Sequence, residues 1–218
     1  MTDDRIPATP GDVTEAVRCL LAGLGPAMAA DWSVPARELE WSCWETLEHV
    51  ADALLAYALQ LGPEPAPLDH YVPLRWSRDR PGAPGGVVLV DRAAGPTGLL
   101  EAVAASGGLL AAVVAARSPE VRALHGYGVT DPEGFAAMGV VETLVHGYDV
   151  AGGLGLELKA PAGLCTRALT RLFPSVPAGP DPWAALLWAT GRIELAERGT
   201  GRRLFKTWHS APLPEEGA

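Results

Sequence analysis

The sequence predicts a mainly α protein, a four-helix bundle over residues 1–156 followed by a small α/β unit over residues 157–218. Three observations carry that class. Long segments place apolar residues at i, i+3 and i+4, the spacing that puts them on one helix face. Capping residues and prolines stand at the starts of those segments, and glycines stand at their ends. The composition is 48% hydrophobic and 20% charged over 218 residues. That is enough apolar surface for a sizeable core, and it excludes wholesale disorder.

The elements follow in order. Thr9-Pro10 opens a first helix over about Asp12–Ala30, with Val13, Ala16, Val17, Leu20, Leu21 and Leu24 as its stripe and a break at Gly25-Pro26. Ser42 and Glu45 form a capping box for a second helix from Cys43 to Leu61. Its stripe is Leu47, Val50, Ala51, Leu54, Leu55 and Ala58, and Gly62-Pro63 ends it. Residues 63–96 are rich in Pro, Gly and Arg; Leu74–Ser77 and Val87–Val90 are expected to pair there as short strands. Thr97 is expected to cap a third helix over Gly98–Ala116, followed by a short turn toward Gly126. Asp131-Pro132 opens a fourth helix that stops near Gly155. A fifth helix is expected over Pro161–Phe173, a sixth from Asp181-Pro182 to about Arg198, and one short strand over Phe205–His209.

Several function classes drop out. The net charge is −9 and there is no basic stripe; the nearest thing to one, Arg75, Arg78 and Arg80, is interrupted by Asp79. Phosphate backbones need clustered cations, so nucleic acid is not an expected partner. The longest uncharged stretch, Ala102–Ala116, is read as too short and too weakly apolar for a bilayer, so no membrane is expected. Met1–Arg5 is acidic with no apolar stretch, so no secretory signal is expected. Cys19, Cys43 and Cys165 are odd in number and widely spaced, which suits a reducing cytoplasm. Trp41, Trp44, Trp183 and Trp188 are expected to be packing residues. Gly85-Gly86 and Gly152-Gly153 are too isolated for phosphate loops.

Two helical segments place a histidine beside carboxylates: Glu45–Asp52, with His49, and Val141–Asp149, with His146. Glu142 and His146 are i and i+4 and share a helix face; Asp149 lies three residues further on. Two readings follow from the spacing. One is a solvated helix face whose histidines pair with their own neighbours, and spacing alone favours it. The other is a metal centre between facing helices, since two His and one carboxylate leave a position open for water or substrate.

Val141–Ala151 resembles the E-x-x-V-H-G-x-D-x-A helix of the mycothiol-dependent maleylpyruvate isomerase family, part of the DinB-like metal-binding four-helix bundles. Trp44–Asp52 resembles that family's other metal helix, and Trp183–Arg192 resembles a segment common in it. The resemblance implies a divalent metal, zinc in the family, held by His49, Glu142 and His146. It implies mycothiol as thiol co-substrate and a small, anionic electrophile as substrate, with isomerisation or S-transfer as the reaction. Asp149, or Asp52, would orient an imidazole, or be a solvated carboxylate. Arg192 would hold an anionic substrate or the thiol, with Arg202 and Arg203 as rivals. A thiol-independent metal hydrolase or lyase, and a non-catalytic metal-binding bundle, are the alternatives.

Overall fold

The computed structural model describes residues 5–196 and 207–212. Six helices make up most of it: α1 (Pro10–Leu24), α2 (Cys43–Leu61), α3 (Gly95–Ala116), α4 (Pro132–Gly153), α5 (Ala162–Leu172) and α6 (Pro182–Ala189). Two short strands, β1 (Ala123–His125) and β2 (Gly128–Thr130), form an antiparallel hairpin between α3 and α4 in which Leu124 faces Val129. The expected class holds: a mainly helical, DinB-like bundle with a small sheet.

The capping residues work as their chemistry dictates. The Thr9 hydroxyl accepts from the Asp12 amide at 3.3 Å while Asp12 accepts from the Thr9 amide at 2.8 Å. Ser42 and Glu45 repeat that exchange at 3.2 and 2.8 Å, and Asp131 caps the amide of Gly134 at 2.7 Å. Each exchange satisfies amides that the first helical turn leaves without partners. α1 ends at Leu24, and Gly25–Ala27 continue as one 3-10 turn, so the first helix is shorter than expected.

α1 and α2 each pack against both α3 and α4, which places α1 and α2 at opposite corners of the bundle. The bundle's interior is filled by Val13, Leu20, Leu47, Leu54, Leu110 and Leu144, all fully buried. α5 packs on α4, and α6 on α5; Leu164, Cys165, Leu169 and Leu186 join the same core. Arg167 of α5 reaches Asp12 of α1, with Nε 2.9 Å from Oδ2. The guanidinium of Arg171, fully buried, joins α5 to Asp131 and to the carbonyls of His209 and Ser210.

Several expectations are corrected. The third helix starts at Gly95, behind a 3-10 turn over Arg92–Ala94 capped by Asp91, so Thr97 lies inside it. The continuous run Arg92–Ala116 contains an 18-residue window with a mean hydropathy of 2.0 and is, by length and composition, long and apolar enough to cross a membrane. Its face Leu99, Val103, Leu110 and Val114 is spent on the bundle core. Residues 74–77 and 87–90 are not strands; a single bridge joins Ser77 and Gly86. The amides that a strand partner would have taken are donated to carboxylates of α2 instead: Val87 and Val88 to Asp52 at 2.6 and 3.0 Å, and Val90 to Glu48 at 2.9 Å.

The sixth helix stops at Ala189, far short of Arg198. Gly191 takes φ +79°, a conformation that favours glycine. The Gly191 amide then donates to Trp188 O at 3.0 Å and the Arg192 amide to Leu187 O at 2.8 Å, a Schellman termination. Thr207–His209 form no strand, and Phe205 and Lys206 lie outside the described residues.

The connection from α1 to α2 doubles back at Pro35–Ser42, where the Ala36 amide donates to Trp41 O at 3.0 Å. It packs onto the end of α4 so closely that a side chain on Gly153 would strike the Pro35 carbonyl and, at 2.7 Å, Cys43 Sγ. Gly153→Ala is therefore expected to cost about 1–3 kcal/mol, because backbone must move to admit the methyl group. Gly108→Ala, on α3 with nothing within 4 Å, is expected to add up to about 1 kcal/mol through helix propensity. Urea unfolding of the two variants checks both signs.

Candidate metal centre

Neighbouring helices bring the two sequence segments together. His49 sits one turn beyond the Glu45 cap on α2, and Glu142 and His146 sit one turn apart on α4. Oε2 of Glu142 lies 3.5 Å from Nε2 of His49 and 3.3 Å from Nε2 of His146. The imidazoles meet edge to face, with centroids 5.1 Å apart. Each of the three residues offers a donor atom within 4.8 Å of the others.

These residues fit a metal ion. Two donors each ~2.0–2.1 Å from one tetrahedral ion stand about 3.3 Å apart. The two Glu142–His separations have that length, and both exceed the ~2.7–2.9 Å of a charge-assisted hydrogen bond. The donors are two imidazole nitrogens and one carboxylate oxygen, a set suited to zinc and to other first-row ions.

The charges are arranged around His146. Its Nδ1 lies 3.3 Å from Oδ2 of Asp149, and that oxygen accepts from Nη2 of Arg192 at 2.8 Å. Nη1 of Arg192 donates to Thr190 O at 2.7 Å. The chain's turn at Gly191 thus aims Arg192 at Asp149, behind the imidazole. Burial disfavours the charged form of His146, but Asp149 and Glu142 outweigh it and raise the imidazole to about 9. Burial likewise opposes ionisation of Glu142, yet the two imidazoles hold it far below the usual carboxylate range. Burial pushes Asp149 up, and His146 and Arg192 together bring it below its ordinary value.

Trp41 is not the packing residue that was expected. Its ring stands over the site, with centroids 5.1 Å from His49 and 6.4 Å from His146, and its Nε1 donates to Gly82 O at 3.0 Å. Trp44 and Trp188 are buried, as expected. Asp52 neither orients an imidazole nor faces solvent; it is buried and holds the amides of Val87 and Val88. With Glu48, which anchors Val90, and Glu45, whose Oε1 accepts from Arg80 Nε at 2.7 Å, it ties segment 80–90 along α2 as a strap. A small, partly open cleft between strap and helix is lined by His49, Glu48, Asp52, Gly85, Gly86 and Leu89, among others.

The chain's own thiols are held protonated. Burial raises Cys43 to about 11 and Cys165 to about 12, and it also raises half-buried Cys19. Arg202 and Arg203 lie outside the described residues.

Residues 12–151 match the family model described as the mycothiol maleylpyruvate isomerase N-terminal domain. No curated protein and no solved structure matches the chain. The family match covers well over half of the sequence, takes in α1 to α4 with all three converging donors, and agrees with the helical bundle. On these grounds the chain belongs to the mycothiol maleylpyruvate isomerase N-terminal domain family.

Proposed function

We propose that this protein binds one divalent metal, zinc foremost, through His49, Glu142 and His146. With mycothiol as co-substrate, it would act as an isomerase or S-transferase on a small, anionic electrophile. The observation that carries the reading is the convergence of the three donors within 4.8 Å in a chain of this family. In this reading residues 1–156 supply the metal ligands and residues 157–218 supply Arg192. Three unpaired cysteines suit a cytoplasmic setting.

A bound divalent cation would stabilise the thiolate of a thiol presented to it, and the thiolate is the nucleophile. The buried, protonated cysteines leave that nucleophile to come from outside the chain. His49 and His146 would bind through neutral nitrogens; Asp149 Oδ2, 3.3 Å from Nδ1 of His146, would accept from that N–H in the loaded site and leave Nε2 free to donate its lone pair. Arg192 fixes Asp149 and is a positioning residue in that role. Trp41 covers the two imidazoles and excludes water from one side.

In the isomerase reaction the thiolate adds to an activated carbon–carbon double bond. A C–S bond forms, and the π pair moves onto the conjugated carbonyl. Rotation about the new single bond precedes return of that pair, which expels the thiolate. In S-transfer the C–S bond remains, and the pair on the carbonyl returns to the neighbouring carbon as that carbon takes a proton.

Elemental analysis of wild type and His146→Ala tests the metal. About one ion per chain is expected in the wild type and none in the variant. Maleylpyruvate turnover should then require both metal and thiol. Wild type without metal, even after incubation with zinc, would overturn the reading. Turnover that persists without thiol would replace it with a hydrolase or lyase.

A further inference from the structure

Glu142 has two carboxylate oxygens, and the two imidazoles account for only one. Oε2 faces both Nε2 atoms, at 3.5 and 3.3 Å. Oε1 points the other way and accepts from the hydroxyl of Tyr57 at 3.5 Å. Tyr57 lies on α2 eight residues after His49, two turns along the helix and on the side that meets α4. It is 8% exposed. Its ring is fixed against Phe135, with centroids 5.5 Å apart, and against His125, 5.6 Å away. A ring held on two sides has little freedom to swing its hydroxyl elsewhere, and a buried hydroxyl requires a partner.

We propose that Tyr57 is a positioning residue of the metal centre, whose hydroxyl engages Oε1 of Glu142 and thereby presents Oε2 alone to the site. The inference rests on the metal reading above. It assigns α2 two tasks at this centre: supplying one ligand, His49, and setting the denticity of a ligand on α4. A carboxylate tied at one oxygen binds through the other, which leaves a coordination position open. Freed of that tie, the same carboxylate can turn and offer both oxygens, closing the position that a thiol or substrate would need.

The test uses cobalt(II), whose visible spectrum reports coordination number. Tyr57→Phe removes the hydroxyl and keeps the ring contacts. It is expected to bind cobalt about 10–100-fold more weakly in competition with a chromophoric chelator, the range seen when a ligand's supporting hydrogen bond is lost. Its visible bands should also weaken toward those of a higher-coordinate ion. Phe135→Leu keeps the hydroxyl and the His125 contact while loosening one side of the Tyr57 ring, and is expected to change affinity and spectrum less than Tyr57→Phe does. Affinity within about twofold of wild type and a superimposable spectrum for Tyr57→Phe would overturn the proposal while leaving the metal site standing. A spectrum that changes with Phe135→Leu and not with Tyr57→Phe would overturn it as well. Wild type that binds no cobalt would remove both this proposal and the metal reading.

Discussion

Arg171→Met is expected to lower stability by about 3–5 kcal/mol, the cost of breaking a buried charge pair by removing one partner. The side chain is fully buried. Nη2 donates to Asp131 Oδ1 at 2.9 Å, Thr130 Oγ1 at 3.3 Å and Ser210 O at 3.1 Å, and Nη1 donates to His209 O at 3.0 Å. Methionine fills much of the volume but offers no donor, so four acceptors lose their partner together. Asp131 would then be a buried carboxylate held only by the α4 amide that it caps. At about 2–4 °C per kcal/mol for a chain of this size, the melting temperature should fall by about 6–20 °C. Calorimetry or a thermal melt followed by circular dichroism reads the change, and a fall of less than about 2 °C would mean that the guanidinium is not what joins α5 to the start of α4.

Asp149→Ala is expected to weaken metal binding about 10–100-fold, or about 1.4–2.7 kcal/mol. The carboxylate lies 3.3 Å from Nδ1 of His146, and its loss leaves that imidazole free to choose either tautomer. Arg192→Ala should weaken binding less, because it acts on His146 only through Asp149. The double variant should cost less than the sum of the two, since both changes break one chain of contacts. Chelator competition on the three variants measures this. If Arg192→Ala left metal affinity untouched but abolished turnover, Arg192 would act on the substrate directly.

Much of this architecture was legible because it depends on neighbours in sequence. The capping boxes at Thr9 and Ser42, and the Asp131-Pro132 start, are local devices, and the helices begin where they stand. The i, i+4 spacing of Glu142 and His146 is equally local. The end of α6 was not legible: the expected helix runs through Gly191 to about Arg198, whereas the positive φ of Gly191 closes it at Ala189. What could not be read depends on distant partners. Nothing around Arg171 in sequence marks it as a fully buried cation. Trp41 and Tyr57 look like core aromatics until α2 and α4 are set side by side. Val87–Val90 carry a strand's residues, and only the carboxylates of α2 divert their amides.

That last arrangement has an evolutionary side. Asp52 and Glu48 grip the strap by the backbone amides of Val87, Val88 and Val90, not by their side chains. Any residue except proline supplies the same amide. The strap borders the cleft beside His49; Val88 and Val90 pack on the core, but an exposed position such as Leu89 can be exchanged over generations while the attachment to α2 persists. A rigid helix with replaceable trim at its edge is a scaffold on which substrate preference can diverge without rebuilding the centre.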